Sequence, residues 1–242
     1  MPRRRRSPDR IPRGDDIETL PRPTRPRDPP TYREDMHPRQ WLVPALLVAV
    51  SSLVLGGLTS YGQTVLPDSL HSFANSAGGW TILTFGLVWL SRVRPPVGAA
   101  LGLVSFVLLV EGYRIVSGWR GYYYAEPLQD TFTIVGLLAG PIVGVSAALV
   151  RSGPASWKPL VAAPVAAVLI GEGVYGLTVV AATTSPVYWT LQIVLGVALL
   201  TATAVAARPR VAPIVLGGLA TAGGSAAFIA FYVWLGQLGS SV

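Results

Sequence analysis

From Trp41 onward the chain is written in apolar stretches of roughly 17 to 25 residues, separated by short polar connections. That is the length a helix needs to cross about 30 Å of hydrocarbon at ~1.5 Å per residue. Spans are expected at 41–60, 77–90, 96–116, 132–150, 159–180, 187–206 and 211–235. The second is short, and the reading extends it backward as helix through His71 to Asn75, because Pro67 and Asp68 form a helix start. The fold class read from this pattern is all-α: a polytopic helical membrane bundle of about seven transmembrane helices.

Residues 1–40 break the pattern. They hold eleven arginines, nine prolines and seven acids, and almost nothing able to seed a core, so the segment is expected to remain a disordered Arg/Pro-rich tail ahead of a transmembrane domain at 41–242. The cluster Arg3 to Arg6 invites comparison with a twin-arginine export signal, but the first apolar stretch lies more than thirty residues later. Nucleic-acid binding is set aside as well, because the run is diluted by acids and Tyr32 is its only aromatic. A cleaved signal peptide at 41–60 is disfavoured by the long basic preamble and by Gly56-Gly57 inside a longer apolar run. What remains is a solvated tail that fixes topology and touches anionic lipid.

Composition agrees. Of 242 residues, 51% are hydrophobic and only 13% charged, against about a quarter charged in an ordinary soluble domain. No cysteine is present, which removes disulfides, thiolate chemistry and sulfur-ligated metals. The Ala, Val, Gly and Arg bias, with Lys158 as the sole lysine, points to a GC-rich bacterial source.

The net charge of +7 is distributed with a sense. The tail, Arg92 with Arg94, Arg151 with Lys158, and Arg208 with Arg210 occupy every second connection, whereas the alternate ones have Arg120 as their clear basic residue. By the positive-inside rule the basic connections face the cytoplasm of a bacterial inner membrane, with the N-terminus inside and Val242 outside. Trp80, Trp119, Trp157, Tyr188, Trp189 and Trp234 fall near span ends, where amphipathic rings favour the headgroup layer.

Small residues recur at four-residue spacing: Gly98 and Gly102; Gly136, Gly140, Gly144 and Ala148; Ala163, Ala167 and Gly171. Such stripes let helix backbones approach closely, and packing within one chain is the expected use, with a homo-oligomer or a membrane-protein partner as the alternative. Glu111-Gly112-Tyr113 and Glu172-Gly173-Val174-Tyr175 end two outbound helices alike, which hints at a repeated helix pair.

Those glutamates are the sharpest chemical signal. Each lies about 20 Å along its helix, where a carboxylate costs about 2.5–3.5 kcal/mol to insert. Arg114 follows Glu111 by three residues and is placed to pair with it. Glu172 has no local partner and is expected either to meet Arg114 or Arg120 across helices or to carry a proton. With Tyr113, Tyr175, Gln192, Gln63 and Asn75 in the same half of the membrane, the pattern describes a polar cavity opening outward, whose candidate ligand-binding residues are Glu111, Tyr113, Arg114, Glu172, Tyr175 and Gln192. The competing reading makes Glu111, Arg114 and Glu172 a buried network that only fixes helix register.

No HExxH, GxSxG or P-loop accompanies them, so no catalytic residue, metal set or cofactor is assigned, and an enzyme is the less favoured class. Asp68 and His71 share a helix face without forming a metal site, and 119–130 reads as an interfacial lid.

The stretch LGGLTSYGQTVLPDSLHSFANSAGGW at 55–80, followed by Glu111-Gly112-Tyr113 and by Ala139-Gly140-Pro141-Ile142-Val143-Gly144, resembles a bacterial family known as domain of unknown function 6518. The resemblance covers most of 41–235 and excludes the tail. It implies a small polytopic membrane protein and supplies no activity. Function is therefore narrowed to a permease-like or small-ligand-binding protein, with a non-catalytic scaffold or envelope-complex subunit as the alternative.

Overall fold

A computed structural model describes residues 39–122, 126–129, 131–207 and 210–239. Residues 1–38 of the predicted tail, Tyr123, Tyr124, Asp130, Arg208 and Val242 lie outside the described residues, while Arg39 and Gln40 open the first helix. Among those described, the chain is all-helical: α1 (Arg39–Val65), α2 (Ala77–Ser91), α3 (Pro95–Trp119), α4 (Thr131–Ser152), α5 (Lys158–Thr178), α6 (Pro186–Ala207) and α7 (Val211–Gly239), with 3-10 turns at His71–Asn75 and Ala155–Trp157. Six of these are long and apolar enough to cross a membrane; α2, at 15 residues, is not.

The shortfall of α2 is at its beginning. Fifteen residues rise only ~22 Å. Its last turn, Leu87 to Ser91, lines a shared hollow with Pro44 and Val48 at the start of α1, so α2 does return to the end of the bundle where α1 begins. The expected helical extension through His71–Asn75 is instead a separate 3-10 turn, because Ser76 is extended (φ −138°, ψ 146°) and α2 nucleates afresh behind it. The second crossing is thus composite, a turn followed by a short helix whose first residues, Ala77 to Trp80, are buried.

Around this break the long helices form two groups. α3 packs between α1 and α4, α5 packs between α6 and α7, and α4 against α5 joins them, with α2 touching α1, α3, α4 and α5. Each Glu-Gly helix is therefore the middle member of its group.

The small-residue stripes explain how the middle helices come so close. A Cβ built on Gly140 would lie 2.7 Å from the Gly102 carbonyl oxygen, and one on Gly98 would lie 2.8 Å from the Gly144 carbonyl oxygen, so α3 and α4 touch backbone to backbone. Gly56 and Gly112 do the same for α1 and α3, against the Leu109 and Leu53 backbones. These stripes serve packing within the chain. Hydroxyls stitch the same seams: Ser52 donates to Ser105 at 2.8 Å, and Ser60 and Ser117 are bonded at 2.9 Å.

The aromatic residues divide. Trp119, Trp157 and Trp234 are exposed, as span-end residues should be, but Trp80, Tyr188 and Trp189 are core residues. Trp80 is wholly buried, edge-on to Phe106, Tyr113 and Phe132 with ring centroids 5.0–6.3 Å away. Proximity to a span end does not distinguish a lipid-facing ring from one beneath a composite crossing.

Gly102→Ala is expected to destabilise the detergent-solubilised protein by about 2–3 kcal/mol, because the added methyl must push two backbones apart. Gly86→Ala, with open space around its Cα, is expected to gain up to ~1 kcal/mol from helix propensity. Thermal unfolding of both variants beside the parent protein checks the contrast.

Candidate functional site

A helix start leaves four backbone N–H groups without intrahelical acceptors, and each costs several kcal/mol if abandoned in hydrocarbon. At the buried start of α2 the three that follow the Ser76 N-cap all find acceptors. Ala77 N–H donates to Glu172 Oε1 at 2.9 Å and Gly78 N–H to Glu172 Oε2 at 2.7 Å. Gly79 N–H donates to the Ser76 hydroxyl at 2.9 Å, and the regular i→i−4 ladder then begins with Trp80 N–H on the Ser76 carbonyl at 3.2 Å. A carboxyl group from α5 therefore completes the cap of a helix more than ninety residues earlier in the chain. The negative end of the arrangement sits where the α2 dipole is positive.

The carboxyl group is itself held. Gln192 of α6 donates to Glu172 Oε2 at 2.8 Å with one amide hydrogen and to the Tyr188 hydroxyl with the other. Tyr188 in turn is bonded to the Ser76 hydroxyl. Ser76, Glu172, Tyr188 and Gln192 are all buried. Glycine at 78 leaves room for the Gln192 amide in this position, since a Cβ there would lie 2.7 Å from the amide carbon.

Glu172 meets neither Arg114 nor Arg120; its partners among the described residues are backbone N–H groups and an amide. The physical reason is that a buried helix start offers two aligned donors and a favourable dipole without a second charge to desolvate.

Glu111 belongs to a second cluster. It accepts from Arg114 Nε at 2.7 Å, the expected i,i+3 pair, and from Leu128 N–H at 2.9 Å. Its second bond anchors the 126–129 part of the loop read as a lid, where Leu128 takes a left-handed backbone (φ 61°). Beside it the Tyr113 hydroxyl donates to Gln63 Oε1 at 2.9 Å. Tyr175 joins neither cluster and packs edge-on against Tyr232 of α7 at 5.5 Å. Of the six residues read as one cavity, the structure brings together Glu172 with Gln192, and Glu111 with Arg114.

A polar cleft does exist, about 540 Å³ in volume, but on different walls. Gln63, Asp68, His71, Ser72 and Asn75 line one side, and the 183–185 turn with Trp189 lines the other. Trp189 is oriented there by donating to the Thr184 hydroxyl at 2.9 Å. Neither glutamate is among its lining residues. Asn75 and Trp189 are each one residue from the α2 cap, at Ser76 and Tyr188, so the cleft lies directly over the node without reaching the carboxyl group. No cluster of three or more metal-ligating side chains occurs among the described residues.

Sequence reasoning missed Ser76 and Tyr188. Ser76 was readable in principle, as a capping residue at the head of an apolar run.

Long apolar helices packed through backbone contacts around a buried, internally capped helix start define a multi-pass membrane protein. Residues 35–237 match the family of unknown function DUF6518, and the chain belongs to that family. No curated protein and no solved structure matches it.

Glu172→Ala should cost about 2–4 kcal/mol of stability by stranding two buried donors, and Glu172→Gln about half of that, since one acceptor oxygen survives. Thermal unfolding in detergent checks the order. Equal losses for the two variants would mean that the carboxyl group is not capping α2.

Proposed function

We propose that this protein is a membrane-embedded binder of a small polar solute, received in the cleft above the α2 cap, rather than a carrier that passes solute through the bundle. The observation that supports it is the contrast between a 540 Å³ polar cleft at one end and the closed node beneath it, where both Glu172 oxygens are already engaged. In transporters with broken helices, the half-helix N-terminus faces the substrate anion. Here the chain supplies that anion itself.

The cleft lining favours a neutral or cationic solute. It combines amide and hydroxyl groups with one carboxylate, Asp68, and His71 as its single basic side chain. The arginine distribution supports a reading in which this end lies outside a bacterial inner membrane and the basic tail meets anionic lipid in the opposite leaflet.

A second reading, a non-catalytic scaffold or subunit, is favoured by the apolar faces of α6 and α7, which leave Val194, Val197, Leu216 and Leu219 exposed. The two readings differ at the cleft. The chain lacks cysteine, so Ser72→Cys, Ser185→Cys and Gln192→Cys can be labelled singly in intact cells with a membrane-impermeant maleimide. Labelling of the first two and protection of the third is expected. Thermal shifts with a panel of small amines and polyols should then find a stabilising solute that Asp68→Asn weakens by about ten-fold, one charge-assisted hydrogen bond's worth. A cleft closed to the reagent would leave the scaffold reading standing.

A further inference from the structure

Two apolar grooves flank the C-terminal half of α1. One, about 420 Å³, lies towards α3, with Val54, Ile115 and Trp119 in its walls. The other, about 310 Å³, lies towards the 3-10 turn and α2, with Leu55, Phe73 and Leu83. Leu58 and Tyr61 line both, so they form the ridge that separates them.

Arg120 sits over that ridge. Its guanidinium carbon is 4.7 Å from the centre of the Tyr61 ring and 5.1 Å from that of Tyr122. Three of its five N–H groups reach neutral acceptors: the Ser60 carbonyl, the Ser60 hydroxyl at 3.1 Å and the Thr64 hydroxyl at 2.9 Å. Among the described residues the one ion pair is Arg114 with Glu111, and no carboxylate among them is paired with Arg120. The neighbouring Trp119 is 82% exposed, as a ring at the headgroup level would be.

We propose that Arg120 and the paired grooves form a site for one diacyl anionic phospholipid, with its phosphate on the guanidinium and one chain on each side of the Leu58–Tyr61 ridge. The charge supplies the sign of the headgroup, and guanidinium is well matched to phosphate. Two narrow grooves under a single cation fit two chains on one headgroup. A helix from a second copy, about 10 Å across, seats in one groove and leaves the charge unmet. The site is separate from the polar cleft and does not depend on its reading.

The test uses the purified full chain, delipidated in detergent, with phosphatidylglycerol and phosphatidylcholine of identical chains competing at equal concentration, read by native mass spectrometry. Wild type is expected to prefer the anionic lipid about five-fold, the effect of one basic residue near a membrane surface. Arg120→Gln should bring the ratio close to one, and Arg120→Lys should keep most of it. Ile115→Trp, which fills one groove and leaves the charge, should retain the headgroup preference but remove the advantage of phosphatidylglycerol over its single-chain lyso form. It decides the matter even if Arg120→Gln does not fold. A wild-type ratio near one, a preference that survives Arg120→Gln, or displacement of the lipid by millimolar glycerol phosphate would each overturn the proposal.

Discussion

A helix that begins inside a membrane has to find acceptors for its first N–H groups, because lipid provides none. In this protein α2 begins buried among helices long and apolar enough to span a membrane, and a carboxyl group 94 residues after Gly78 accepts from two of its first three N–H groups. Much of the architecture follows from that requirement. α5 has to stand beside the start of α2, α6 has to bring Gln192 and Tyr188 to the same point, and Gly78 has to lack a side chain so that the amide can lie over it. The α2 cap is thus a joint between the two three-helix groups, made of hydrogen bonds, whereas within each group the joints are close backbone approaches at glycine.

The same joint reassigns the conspicuous polar residues. Glutamates in a membrane segment invite a binding or transport role, yet Glu172 closes a helix end and Glu111 ties Arg114 and the Leu128 backbone. Polar groups free to meet a solute are found nearer the surface, in the connection that carries Asp68 and His71. A fixed interior beneath an open cleft suits recognition at one face better than passage between faces.

The sequence made some of this legible. Span length and apolarity located the seven helices, and the four-residue spacing of glycines pointed to close packing within the chain without saying which helices meet, because both are properties of a single helix. The i,i+3 pairing of Glu111 with Arg114 is equally local. What stayed hidden depends on contacts between distant segments: the break at Ser76, the carboxyl group answering it from α5, and the burial of Trp80 beneath a composite crossing. A short apolar run following Ser-Ala-Gly-Gly reads equally as a frayed span or a capped half-helix until the residue that caps it is known. Tyr175 is a different case, since it was grouped with the cavity residues by its depth in the same half of the membrane, and its ring packs against Tyr232.

The central claim is that Glu172 holds the start of α2 in place across the bundle. Amide hydrogen exchange at residues 77–80, measured by mass spectrometry on the detergent-solubilised protein with and without Glu172→Ala, tests it most directly. The account predicts strong protection of these amides in the parent chain and exchange at least about ten-fold faster in the variant, with the middle of α3 unchanged. Equal protection of 77–80 in both proteins would contradict it.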